Sequence, residues 1–247
     1  MTYASAIAFR ALVAVVPLLL LGLALLGALG LRDTWADTIA PAIRERVTPP
    51  VFTAIDFSVE RILSSGTAGL ITFAALLLLW DLTWAVRAIM AALNQIHEVE
   101  ESRSAGRRIL VSIGLAVAIA LCVIGSVLVV IVASRVAEGA LDVLLSIARW
   151  PAAIGLLGLA VGLLVRYAPA ERPEVRWASA GTGLVIGSWI VASVAFRWWV
   201  TSVADFESAV GSLTFFLILT AYVFTSSAIF LVGVELDELL RKEARSS

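Results

Sequence analysis

The sequence predicts an all-α, polytopic membrane protein with about six transmembrane helices and short amphipathic helices in the outer connections. Three observations carry this. Of 247 residues, 61% are hydrophobic and only 15% charged, with a mean hydropathy of +1.00, whereas soluble domains are roughly 45–50% apolar. Apolar stretches at about 7–31, 67–93, 108–134, 150–168, 177–200 and 211–236 each approach the roughly 20 residues that cross hydrocarbon as a helix. The leucine runs at 18–21 and 76–79 are unbroken, which excludes the alternating polarity of a membrane barrel. The chain, 1–247, reads as a single integral membrane domain.

Span one begins among alanines and carries Arg10 near its start and Pro17 inside it. Its apolar run is longer than a signal-peptide core and lacks a small-residue cleavage site, so it reads as an uncleaved span. Pro17 frees a backbone carbonyl and predicts a kink. The outer connection, 32–66, is too polar to span. Within it Trp35, Ile39, Ile43 and Val47 recur every four residues, and after Pro49 and Pro50 come Phe52, Ile55, Val59 and Ile62. That pattern predicts two short amphipathic helices broken by proline, lying on the membrane surface or capping the bundle.

Span two has Asp81 at its middle and Arg87 about 9 Å further along at about 1.5 Å per residue. Its eleven Leu, Ile, Phe and Val residues are worth roughly −5 kcal/mol on the insertion scale, against about +5 to +7 for the two charges. The charges must therefore face other helices, a partner or water, and an ionisable group inside a span marks a functional site by default. Trp80 and Trp84 flank Asp81, as a shield or as ordinary packing, and Asn94 ends the span.

A second amphipathic piece, 136–147, precedes Trp150 and Pro151, which suit the start of span four. Gly155, Gly158 and Gly162 there, and Gly183 and Gly187 in span five, offer small faces for close helix packing. Trp150, Trp177, Trp198 and Trp199 fall at span ends as an aromatic belt, and Arg197 snorkels from the end of span five. Span six runs from Gly211 through Gly233 to Glu235.

Orientation follows from the connections. Arg103, Arg107, Arg108, Arg166, Arg172, Arg176, Arg241, Lys242 and Arg245 fall on one side, and Arg32, Arg44, Arg46, Arg61, Arg135 and Arg149 on the other. The larger set belongs inside, which puts both termini in the cytoplasm.

For the polar residues Arg10, Asp81, Arg87, Asn94 and Glu235 two readings stand. Arg10 or Arg87 forms an ion pair with Glu235 that fixes helix pairing, or arginines unmatched by carboxylates hold an anionic head group or solute through bidentate bonds. Membrane lipids are the expected partners. A net charge of −1 offers no basic field for nucleic acid. Cys122 is the single cysteine, so an intrachain disulfide is excluded and a packing role is expected. The sequence calls for no cofactor or metal. His97 is the only histidine and is followed by Glu98, Val99, Glu100 and Glu101, outside the H-E-x-x-H pattern. Neither a G-x-S-x-G elbow nor a G-x-x-x-x-G-K-[ST] loop occurs, so enzyme activity is not expected and transport would draw on a gradient or a partner.

These residues resemble the YihY family, also called the virulence factor BrkB family, of bacterial inner-membrane proteins. The likeness rests on the alanine-rich opening with Phe9 and Pro17, the Leu93-Asn94 pair before a charged link, Trp177, Gly181 and Phe196, the run Gly211, Ser212, Leu213, and Gly233 with Glu235 closing span six. Arg10 stands where a tyrosine is usual, as does Val210, and the stretch usually preceding span one is nearly absent, implying a short or truncated N-terminus. The resemblance implies a six-helix inner-membrane protein that moves lipids or other compounds across the membrane, and it supplies no catalytic residues. Some family members have carried a ribonuclease label, which a lone histidine does not fit. The competing class is a membrane scaffold that transports nothing. Substrate, direction, energy source and oligomeric state are not encoded in any motif.

Overall fold

The computed structural model describes residues 2–45, 49–65, 68–136, 140–170, 180–202 and 209–246. Among these, every regular element is helical. Helix α1 spans Thr2–Ala28. A π-helical turn, Trp35–Ile39, leads into α2, Ala40–Arg44, and then come α3, Pro49–Ser65, α4, Ala68–Ile96, α5, Ala105–Val136, α6, Ala140–Tyr167, α7, Ala180–Ser202, and α8, Ala209–Ser246. Six of them, α1 and α4 to α8, are long and apolar enough to cross a membrane. The all-α polytopic expectation is met, as are the paired amphipathic helices of the outer connection. Arg46, Val47, Arg172, Arg176 and Trp177 lie outside the described residues.

Two compact units form, one from Met1–Asp81 with Arg176–Ser247 and the other from Leu82–Val175. The division falls within α4, after Asp81. In the first unit α1 packs on α8 and α3, and α7 packs on α8. The α7–α8 seam is polar in part. The Trp189 indole donates to the Ser226 carbonyl at 3.1 Å, Ser193 Oγ and Tyr222 OH lie 2.9 Å apart, and Phe196 stacks on Tyr222 at 4.7 Å between centroids. Positions 189, 193 and 196 recur at i, i+4 and i+7, so one stripe of α7 meets one stripe of α8. In the second unit α5 packs on α6, and free Cys122 is buried there as the packing reading expects.

The α1–α3 crossing is the tightest approach. A Cβ at Gly27 would lie 2.6 Å from the Leu63 carbonyl oxygen and 3.1 Å from its Cα. Only a hydrogen fits there, because Leu63 presents backbone that has no rotamer to escape by. Trp35 reinforces the same corner, its buried indole donating to Asp56 Oδ1 at 2.8 Å. Arg44 lies over the Phe52 ring at 5.7 Å, joining α2 to the start of α3.

Several expectations are corrected. The piece 136–147 is not separate from span four, because α6 is continuous from Ala140 with Pro151 inside it. Proline removes one hydrogen bond, to the Ile147 carbonyl, and a helix otherwise intact tolerates that loss in a membrane. Gly155, Gly158, Gly183 and Gly187 are exposed, and a Cβ at any of them would meet nothing within 4 Å. Their small faces receive no helix among the described residues. Close approach occurs instead at Gly27, and at Gly125, whose Cβ would meet Leu156 at 3.6 Å. Trp80 is 62% exposed, so it is not packed into the core as Asp81 is.

Gly27→Ala is expected to lower stability by about 1–3 kcal/mol, read as a fall in thermal midpoint in detergent, whereas Gly22→Ala, with open space around its Cβ, leaves the midpoint near wild type. Equal midpoints for the two variants would contradict the crossing described.

Candidate functional site

Helix α4 packs one stripe inward. Ala74, Leu78, Ala85, Val86, Ile89, Met90 and Leu93 are all buried, and Asp81 falls on the same stripe at helical spacing from Leu78 and Ala85. Its carboxylate belongs to a residue only 5% exposed. No hydrogen bond or ion pair to Asp81 is made among the described residues. Holding a charge away from water costs several kcal/mol unless it is paired or hydrogen-bonded, and Asp81 is a buried acid of this span with neither among the described residues. Arg87 is half-buried and turns its guanidinium onto the Trp84 ring at 4.7 Å, a contact that keeps the cation in an apolar setting without a carboxylate.

A built polar cluster sits where α4 ends, within the second unit. The helix stops in a left-handed cap. Glu98 has φ +53°, the Val99 amide donates to the Asn94 carbonyl at 3.0 Å, and the Glu98 amide donates to the Gln95 carbonyl at 3.2 Å, the two bonds of a Schellman ending. The Asn94 side chain, 8% exposed, donates to Glu101 Oε2 at 3.1 Å and accepts the Ala170 amide at 2.8 Å. It thus ties the link after α4 to the segment after α6. Glu101 also accepts the Arg103 amide at 3.3 Å and has Arg103 Nε and Arg108 Nε each 3.9 Å from a carboxylate oxygen. Arg103 Nη1 donates to the Ala168 carbonyl at 3.1 Å, and Nη2 to those of Tyr167, at 3.4 Å, and Pro169. One planar fork therefore satisfies three consecutive carbonyls at the end of α6, groups that a helix terminus leaves without partners.

The remaining expected residues are dispersed. Arg10 is half-buried on α1, Pro17 is buried inside α1, Gly211 lies in the first turn of α8 and Gly233 is buried on it. Glu235 is exposed and makes no ion pair among the described residues, so it does not supply the expected partner for Arg10, which lies in the same unit. Its stripe on α8 carries Val232 and Leu239, both more than half exposed. The acid that α8 buries is Glu238, 5% exposed, whose two carboxylate oxygens each accept from Arg241 Nη2 at 2.6 Å. Glu238, Glu101 and Arg103 were not singled out by sequence reasoning. The signal for Glu238 is its i, i+3 spacing from Arg241; Glu101 and Arg103 sit in a run of acids and bases indistinguishable from a solvated link.

The family model described as virulence factor BrkB matches residues 1–247, the whole chain. Among curated proteins, the "Putative ribonuclease-like protein YfkH" of Bacillus subtilis (strain 168) is similar at 24% identity over 218 residues, 85% of this chain and 79% of that protein. No solved structure matches the chain.

Arg103→Lys keeps the charge and loses the fork, and is expected to lower stability by about 1–3 kcal/mol. Exposed Arg107→Lys is expected to change it by less than about 0.5 kcal/mol. Paired thermal melts in detergent check this, and indistinguishable midpoints would contradict the clasp.

Proposed function

Since the chain belongs to the virulence factor BrkB family, whose members are membrane proteins, we propose that it is a passive or gradient-driven transporter of lipids or anionic solutes in the bacterial inner membrane, with both termini cytoplasmic. The carrying observation is Asp81, buried on the packed stripe of a membrane-crossing helix with no partner among the described residues. A carboxylate retained there in place of a leucine forgoes about 3 kcal/mol or more of insertion free energy, and such residues mark ion and substrate pathways. Arg87 of the same helix supplies the charge-assisted donors that a phosphate or carboxylate requires, and its contact with Trp84 is one that an anion can displace. Asp81 supplies the opposite charge through which a gradient acts. The orientation rests on the excess of arginine and lysine in the links after α4, after α6 and after α8.

The second reading, a scaffold without transport, draws support from the Arg103 clasp and the Glu238–Arg241 pair, where charge serves structure alone. A ribonuclease reading draws only on the relative's printed name. Among the described residues no group of three or more His, Cys, Asp or Glu is placed to hold a metal ion, and the chain's lone histidine is not joined by the ligands a metal-dependent nuclease uses. The reading favoured here is therefore not enzymatic.

Flux in proteoliposomes tests the proposal, with fluorescent phospholipids and a panel of anionic solutes. Wild type is expected to move at least one of them, and Asp81→Ala and Arg87→Ala, at matched folded yield, to lose that movement. Folded wild type that moves none, or variants that move it as well as wild type, would favour the scaffold.

A further inference from the structure

The connection between α1 and α4 forms an open cavity of about 580 Å³, within the range of small-ligand sites. Its walls are one stripe of α3 and the segment that follows α1, both in the first unit. One is Phe57, Glu60, Arg61 and Ser64 of α3, at i, i+3, i+4 and i+7; the other is Arg32, Asp33 and Ala36, at i, i+1 and i+4. The floor is Trp35 and Leu63, both buried, and both are fixed, Trp35 by its bond to Asp56 and Leu63 by its backbone against Gly27. The cavity is thus a preformed feature of the α1–α3 corner.

We propose that this cavity binds the headgroup of a zwitterionic phospholipid of the phosphoethanolamine class. The charges present both signs, as that group does. Arg32 and Arg61 are exposed and make no ion pair among the described residues, leaving two guanidinium forks for one phosphate. Glu60 is likewise exposed and without an ion pair among the described residues, and offers its carboxylate to the ammonium. A pocket for a simple anion gains nothing from the Glu60 carboxylate beside its arginines. The position identifies the source as lipid. Gly27 lies in the last turn of α1, so the corner it makes with Leu63 is level with the end of a membrane span, where headgroups reside. Phe57, exposed by 64%, stands one helical turn from Glu60 and Arg61, an apolar wall for the glycerol and acyl chains of a ligand whose head is held below.

The inference narrows the lipid branch of the proposed function and concerns binding, not movement. Native mass spectrometry of the purified full-length protein, titrated with phosphatidylethanolamine or phosphatidylglycerol, tests it. Wild type is expected to retain phosphatidylethanolamine in preference to phosphatidylglycerol. The double variant Arg32→Gln/Arg61→Gln is expected to weaken retention about tenfold or more, as loss of charge-assisted bonds implies, and Glu60→Gln to abolish or reverse the preference. Unchanged retention in the double variant would overturn the proposal. Should that variant fail to fold, the headgroup preference of Glu60→Gln, a surface change, decides alone: a preference like wild type's overturns it. Soluble glycerophosphoethanolamine is expected not to compete at lipid concentrations, and competition at parity would reassign the cavity to a free phosphate ester. Absent binding with intact flux overturns this inference and leaves the transport reading; absent flux with intact binding does the reverse.

Discussion

Inside hydrocarbon there is no water to accept or donate a hydrogen bond, so every peptide group along a span must find its partner in the chain. Long helices answer this for their interiors, and polar side chains within them follow the same rule. The hydroxyls of Thr72, Ser112, Ser126, Thr220 and Ser227 fold back onto carbonyls three or four residues earlier on their own helices, so they sit in apolar helices without an open donor. Helix ends are where the requirement is hardest to meet. At the end of α4 the chain turns through a left-handed residue, Glu98, to close two backbone bonds, and at the end of α6 the Arg103 fork covers three carbonyls. The link between α4 and α5 therefore does more than connect; through Asn94, Glu101 and Arg103 it fixes where α4 and α6 end relative to each other.

That constraint separates two kinds of charge. Those at helix ends are matched locally, Glu101 with Arg103 and Arg108, Glu238 with Arg241. Asp81 is unlike them in depth and in company. Its neighbours on the stripe, Leu78 and Ala85, are buried and apolar, and a leucine in its place would insert more readily. A group that opposes insertion and is not matched by a local bond is the ground on which the transport proposal rests. The corner built on Gly27 and Leu63 adds a second polar feature, lined by Arg32, Glu60 and Arg61.

Much of the architecture was legible because hydropathy integrates over twenty residues and tolerates local exceptions. The six spans and the proline-broken amphipathic pair needed nothing more than apolar run length and a repeat of about four. The start of α6 was not legible, since Asp142 and Arg149 lower the hydropathy of its first turns and Pro151 imitates a helix start. Which acid of α8 is buried depends on about 100° per residue of rotation, and Glu235, Asp237 and Glu238 are too close in sequence for composition to separate them. The small faces at Gly183 and Gly187 were legible as faces, but sequence does not say whether a helix of the same chain covers them. For the candidate site, Asp81 stood out because charge in the middle of an apolar run is conspicuous, while Arg103 was hidden among charges that are ordinarily solvated.

The central claim is that position 81 lies on a route that water and solutes enter. In a Cys122→Ala background, which removes the single native thiol, Asp81→Cys in proteoliposomes is to be treated with a small charged thiol reagent, beside Leu78→Cys, 1% exposed and one turn away. The account predicts that position 81 is modified while position 78 is inert. Equal inertness of both would place Asp81 in a sealed interior and contradict the account.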